Sequence, residues 1–392
     1  MASYLDHLEC TECGKSYPSG GLIGVSPCCG KVLFARYDLD RIRREVDRDE
    51  LRNRRTDMWR FAELLPVEDP DRIVSLGEGG TPLLQAAELG RRLGLSSLYI
   101  KEEGLNPTGS FKARGISAAV ARAVELGAPG FTMPSAGNAG GAAAAYCARA
   151  GLVAKVFMPQ DAPEANKKEC LLAGSDLTLV EGLISDAGRQ AAAVAQEQSL
   201  FDLSTLKEPY RAEGKKTMGL EIAMQLGWKL PTAIIYPTGG GTGIIGMEKG
   251  FQELRELGWI DGPSPRFIAV QASGCQPIVR AFEQGRLTSE PWQDAATLAD
   301  GLRVPSPFAD YLILQTIRET GGTALAVEDS EMVEAMYELA TAEGIVACPE
   351  GAATLVGLKR LLNQGFLGPE DTVVLLNTGS GYKYMHLIQD RS

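Results

Sequence analysis

Asn106-Pro107-Thr108-Gly109-Ser110-Phe111-Lys112-Ala113-Arg114-Gly115 is the stretch that decides how this chain is read. Its first half is rich in turn formers, and a helical pattern runs over 116–126, so Lys112 stands at the mouth of a helix. There the positive end of the helix dipole disfavours an ammonium charge. A neutral lysine amine is the nucleophile that Schiff-base formation requires. An ordinary solvated lysine at a helix start would look the same by itself, so the surrounding segments have to decide.

Outward from Lys112, short β-rich runs alternate with amphipathic stretches. Strands are expected over 97–101, 130–133, 154–158, 177–180, 233–236, 266–271 and 372–376. Helices are expected over 116–126, 139–150, 185–198, 217–226, 245–257, 329–343 and 352–364. That alternation predicts an α/β chain with parallel sheets and crossover helices. Three further segments sit where a strand gives way to a turn. Pro134-Ser135-Ala136-Gly137-Asn138-Ala139-Gly140-Gly141 precedes an Ala-rich helix, and its small residues let backbone amides face a ligand. Pro237-Thr238-Gly239-Gly240-Gly241-Thr242-Gly243 combines exposed amides, hydroxyls and a helix start, which is a phosphate cradle. It lacks the Lys-Ser/Thr of a P-loop and the spacing of a dinucleotide fingerprint. Leu376-Asn377-Thr378-Gly379-Ser380-Gly381 follows the last strand and offers a hydroxyl to a ring nitrogen.

Together with Gly77-Glu78-Gly79-Gly80-Thr81-Pro82-Leu83 and Glu213-Gly214-Lys215-Lys216-Thr217, these segments resemble the tryptophan synthase β-like, fold-type II enzymes that use pyridoxal 5'-phosphate. Within that superfamily they look most like the threonine synthase family, from about Leu76 to Lys383. The resemblance implies two doubly wound parallel-sheet domains with a short N-terminal cysteine-knuckle, zinc-ribbon-like extension. By composition residues 1–37 stand apart as that extension, and a large cofactor-binding domain over 38–116 with 182–392 and a small mobile domain over 117–181 are expected. The resemblance makes Lys112 the catalytic lysine that carries the cofactor and moves protons. Phe111 is then expected near the ring, Asn138 at the ring hydroxyl, Gly239, Gly240, Gly241 and Thr242 around the phosphate, and Thr378 at the ring nitrogen. Ser135, Ala136 and Gly137 would take the substrate carboxylate, and Arg211 the substrate phosphate.

The activity this implies is a lyase that turns O-phospho-L-homoserine and water into L-threonine and phosphate. Two departures open a second reading. The family's SFKDRG is SFKARG here, with Ala113 for the acid, and Ala136 and Ala139 stand where threonines commonly flank Gly-Asn. A serine/threonine ammonia-lyase, or a β-replacement on O-phosphoserine like that of cysteate synthase, would keep the cofactor and change the reaction. A silent binding protein is disfavoured by the intact Lys112 and Thr378.

The totals agree with a globular enzyme. The 392 residues exceed one ordinary core, and a net charge of -11, from 39 basic and 50 acidic side chains, disfavours nucleic acid and anionic membrane as partners. Only two histidines are present, His7 and His386, so acid-base work falls to lysine. The N-terminus has no cationic start followed by a long apolar run, and a cytoplasmic homodimer acting on a small phosphorylated or hydroxy amino acid is expected. In such a setting the eight cysteines are thiols or metal ligands. Cys10, Cys13, Cys28 and Cys29 are the candidate zinc ligands, but Ser26-Pro27-Cys28-Cys29 breaks the paired Cys-x-x-Cys rule. Adjacent cysteines do not readily furnish two tetrahedral ligands, so a metal-free remnant is the expectation there.

Overall fold

The computed structural model describes residues 2–389. The chain divides into two compact units. One comprises the described residues up to Gly80, Lys112–Thr217 and Glu256–Gly258; the other comprises Thr81–Phe111, Met218–Arg255 and the described residues from Trp259 onward.

The second unit is built on a six-stranded sheet. Its spatial order is Thr323–Val327, Arg266–Ala272, Ala233–Pro237, Thr372–Asn377, Ser97–Glu102 and Leu83–Gln85. All neighbours are parallel except the last pair, in which Leu83–Gln85 runs antiparallel to Ser97–Glu102. The central strands are continuous apolar runs, as parallel strands covered on both faces must be. Ala233–Pro237 is buried throughout. Helix Pro349–Asn363 packs on these strands, and Gly357 lets it approach, because a side chain there would meet Val270. The core runs from Leu98 and Ile100 through Ile235, Ile268 and Leu375 to Leu355 and Leu358.

The first unit holds a four-stranded parallel sheet in the order Asp176–Val180, Ala154–Pro159, Phe131–Pro134, Phe201–Asp202. Phe157 and Val180 meet Ala187 and Ala191 of helix Ile184–Glu197, whose alanines allow a close helix-on-sheet approach. This sheet takes its last strand from beyond the boundary at 181 expected from the sequence. The N-terminal residues form a three-stranded antiparallel sheet, with Leu5–Cys10 between Ser16–Pro18 and Leu33–Tyr37.

The α/β architecture and all seven expected strands are present, each to within one residue. In the six- and four-stranded sheets, three short strands were not anticipated: Leu83–Gln85, Phe201–Asp202 and Thr323–Val327. They are edge elements with weak alternation, and Phe201–Asp202 is two residues long. The charged stretch after Tyr37 forms one helix, Leu39–Glu45, with 3-10 turns after it. Among the described residues no helix is long and apolar enough to cross a membrane, and no cysteine is in a disulfide.

Candidate active site

Ala233–Pro237, Thr372–Asn377 and Ser97–Glu102 are consecutive parallel neighbours, so all three end on the same edge of the sheet. The carboxyl edge is where open α/β sheets bind ligands, since the loops there are free to carry chemistry. Thr238–Gly241 follows the first strand and Thr378 the second. The third leads through two 3-10 turns to Phe111. Hydrogen bonds stitch these loops together. The Phe111 amide donates to the Thr378 carbonyl at 3.0 Å, and the Ser380 amide donates to the Gly109 carbonyl at 2.9 Å. Phe111 sits edge-on to Tyr236, ring centroids 6.2 Å apart. Thr108 adopts φ 61, an uncommon conformation for a non-glycine residue, to complete the turn. The chain passes from one unit to the other between Phe111 and Lys112, and helix Lys112–Glu125 begins at Lys112 itself. The helix therefore starts four residues earlier than the sequence pattern suggested, because Lys112-Ala-Arg-Gly115 shows no apolar periodicity of its own.

The glycine loop is a cradle that side chains would fill. A Cβ at Gly239 would run into the Gly301 carbonyl, Gly241 has φ 70 against Ile313, and a Cβ at Gly243 would enter the Tyr236 ring. Gly240 is the loop's half-exposed residue between buried neighbours. Thr242 opens helix Thr242–Glu256, so amides and helix dipole favour an anion at one place. Thr238 is not part of the lining: its amide donates to Val270 and its hydroxyl to the Tyr236 carbonyl.

Thr378 is buried, and its hydroxyl has a 3.9 Å contact with the Cys348 sulphur. Next to it, the Asn377 amide donates to both oxygens of Glu102 at 2.8 Å. Burial is the largest influence on Glu102 and pushes its carboxyl up to about 7, against the opposing hydrogen bond from Asn377. Nothing in the sequence singled out Glu102, since a Glu at a strand end is unremarkable until its neighbour is known.

The lysines separate by environment. Lys101 is fully buried and bonds Glu221 at 2.7 Å, Gln225 at 2.9 Å and the Thr81 carbonyl. Lys216 is buried 2.6 Å from Glu213, and Lys249 is paired with Glu253. These pairings hold ammonium groups in place. Lys112 is only half-buried, directly after Phe111 in the chain.

In the first unit, Ser135 follows the Phe131–Pro134 strand and organises its loop. Its hydroxyl donates to the Gly137 carbonyl at 2.9 Å and accepts from the Gly140 amide at 2.8 Å. Ala136, Gly137 and Asn138 are half-buried, and Asn138 opens helix Asn138–Arg149. Arg211 is buried; one of its terminal nitrogens donates to the Leu203 carbonyl at 2.6 Å and to Thr205 at 3.2 Å. Its buried Nε has no hydrogen-bond partner, and burial lowers its pKa against the opposing charge of Glu208. That orphan donor suits an incoming oxyanion.

The remaining motifs hold the helix that Lys112 opens. Gly214 faces the Arg114 carbonyl, Gly115 faces Arg211 backbone, and neither position tolerates a Cβ. Helix Lys112–Glu125 and helix Tyr210–Gln225 thus meet backbone to backbone, with Arg114 donating to the Thr217 hydroxyl at 2.9 Å. Glu78 of the Gly-Glu-Gly-Gly motif is fully buried and accepts from Trp59, Ser117 and Tyr146 at 2.7, 2.5 and 2.7 Å. It braces the same helix and is not aimed at a ligand.

An anion cradle closed to side chains, an aromatic ring and a buried hydroxyl on one edge of the second unit's sheet, with Lys112 next in the chain after Phe111, are what a phosphorylated pyridine aldehyde needs, and these residues fit it. Residues 74–379 match the family of pyridoxal-phosphate dependent enzymes. A threonine synthase of Methanocaldococcus jannaschii is 38% identical over 376 residues, covering 96% of this chain and 92% of that one. A threonine synthase of Methanosarcina acetivorans is 37% identical over 385 residues, covering 98% and 92%. Among solved structures, the processed form of threonine deaminase isoform 2 from Solanum lycopersicum superposes with a TM-score of 0.68 at 22% identity, covering 87% and 88%. Maize serine racemase gives 0.65 at 22% identity, covering 78% and 92%. At that identity the two structures speak for the fold alone.

Proposed function

The chain belongs to the pyridoxal-phosphate dependent enzymes, and from that membership and its threonine synthase relatives we infer that it converts O-phospho-L-homoserine and water to L-threonine and phosphate. When bound, the cofactor supplies an electron sink for negative charge at the amino acid's α-carbon. The chain's own residues do the rest. Lys112 would hold the cofactor through its Nζ and would move protons at Cα, Cβ and Cγ. Backbone amides of Gly239, Gly240 and Gly241, with Thr242 at the helix start, take the cofactor phosphate. Thr378 would meet the ring nitrogen with its hydroxyl, Asn138 would hold the ring hydroxyl, and Phe111 would lie near the ring. Ser135, Ala136 and Gly137 hold the substrate carboxylate, and Arg211 the substrate phosphate through the nitrogen left unpaired in its burial.

The observation that carries this reading is the shared carboxyl edge of three neighbouring strands, from which the glycine loop, Thr378 and the Phe111–Lys112 turn all depart. The archaeal threonine synthase likeness over nearly the whole chain carries the choice of substrate. Ala113, which stands where the family commonly has an acid, is fully buried in its helix. The test is a substrate panel on the yellow holoenzyme. Phosphohomoserine is expected to yield equal amounts of phosphate and threonine; faster release of 2-oxobutyrate and ammonia from threonine would assign the enzyme to the ammonia-lyases instead. The same reading expects a cytoplasmic homodimer without nucleic acid or membrane partners, and sedimentation at the mass of two chains checks the dimer.

A further inference from the structure

We propose that Cys10, Cys13, Cys28 and Cys29 bind one zinc ion that staples the N-terminal sheet to the loop spanning residues 19–32. The four sulphurs lie within 4.8 Å of one another, and Cys13 and Cys28 are 3.3 Å apart. A tetrahedral zinc with bonds of about 2.3 Å holds its sulphurs about 3.8 Å apart, inside the span these thiols already occupy. The adjacency of Cys28 and Cys29, which argued from sequence against metal, does not keep either sulphur out of the cluster.

The backbone explains how. In the first turn the Cys10 amide donates to the Lys15 carbonyl and the Gly14 amide to the Cys10 carbonyl, both at 2.9 Å. In the second the Ser26 amide donates to the Lys31 carbonyl and the Gly30 amide to the Ser26 carbonyl, both at 2.8 Å. Gly14 and Gly30 close the turns with φ 71 and 63. Cys10-Thr-Glu-Cys13-Gly-Lys15 and Ser26-Pro-Cys28-Cys29-Gly-Lys31 are therefore the same knuckle twice. Cys29 is the counterpart of Cys13, and Ser26 stands where Cys10 stands in the first turn. Ser26 is buried, and its hydroxyl accepts from the Lys31 amide at 3.0 Å, so it is committed to the turn. Cys28, two residues further on, supplies the fourth sulphur in its place, and its amide donates to the Tyr17 hydroxyl at 3.2 Å.

The need for a staple is local. One strand of this sheet has three residues, and no helix or strand forms between Pro18 and Leu33. Small units with so little regular structure hold their loops with cross-links or metal. Binding is a simple exchange: four thiols lose their protons to solvent, the zinc gains four thiolate bonds, and nothing is oxidised or reduced.

The test uses the full chain and does not depend on turnover. Protein purified without chelator should carry about one zinc per chain by mass spectrometry, with or without the cofactor. Cobalt(II) in its place should give thiolate charge-transfer bands and the intense visible bands of a tetrahedral field. C13S and C29S should each cut zinc content by about tenfold or more, whereas S26C/C28A, which restores two identical knuckles, should keep it. Because cobalt uptake is read on the wild-type chain, misfolding of a variant cannot decide the matter. Failure of reduced wild-type protein to take up zinc or cobalt overturns the proposal. So does a Cys13–Cys28 disulfide in place of metal in the protein as isolated, a red iron-loaded protein, full zinc retention by C13S and C29S, or zinc loss from a folded S26C/C28A. None of these outcomes bears on the reaction proposed above, which the substrate panel decides separately.

Discussion

A lysine becomes chemically special through its neighbours, and this chain offers the comparison internally. Lys101, Lys216 and Lys249 are buried and paired with Glu221, Glu213 and Glu253. Lys112 sits half-buried at the first residue of its helix. Lys112→Ala is expected to abolish the visible band of the cofactor-loaded protein and to lower turnover by about a thousandfold or more, with an unchanged far-ultraviolet dichroism spectrum. Full turnover by that variant would remove the proposed role. Glu102 makes a second prediction. Its carboxyl is raised from 4.5 to about 7 by burial, so the folded state favours the protonated form. The stability that this confers is complete below the unfolded value and is lost as pH rises through about 7. Glu102→Gln keeps a neutral group at every pH. Relative to wild type it should gain stability between pH 5 and 8, by up to about 3 kcal/mol for a shift of this size. Urea melts at the two pH values measure it; a constant difference would mean that Glu102 does not titrate in this window.

At the scale of elements, the glycines divide by what they permit. Gly115 and Gly214 let two helices touch at the backbone, whereas Gly239, Gly241 and Gly243 keep side chains out of a loop. The sequence marked the second set, because glycines interleaved with hydroxyls before a helix are a recognisable pattern. It could not mark the first, since Gly115 and Gly214 are remote in the chain and only the helix crossing pairs them. Gly239→Ala is expected to weaken cofactor binding by about tenfold or more, because the methyl must displace the Gly301 backbone. A spectroscopic titration of the apoenzyme with cofactor reads this directly, and an unchanged dissociation constant would place the cradle elsewhere.

Across the whole chain, the N-terminal residues are less separable than their composition suggests. Tyr37 ends the ribbon-like sheet, yet its hydroxyl donates to buried Glu213 at 2.9 Å, and Lys216 lies 4.0 Å over its ring. A bond between positions so distant in sequence makes the cysteine unit part of the body that positions the Lys112 helix. Tyr37→Phe should cost about 1.5–3 kcal/mol, the usual worth of a hydrogen bond to a charged group. Chemical denaturation would show it as a lower midpoint at unchanged slope; no change in midpoint would mean that the ribbon is an independent appendage.

The strands and most helices were legible in the sequence because burial on both faces writes itself as apolar runs, and because helices repeat every 3.6 residues. The Lys112 segment, the glycine loop and Thr378 were legible for a related reason: each is a local pattern at the end of such a run. What only the tertiary structure decided are relations between distant residues. These include the sheet order that brings three loops to one edge, the Asn377 clamp on Glu102, the orphan nitrogen of Arg211, and the convergence of four sulphurs despite an irregular spacing. Local pattern records what a residue does to its own backbone. Which side chains meet is set by strand order and by close backbone approach, and neither is written within a few residues of the groups it brings together.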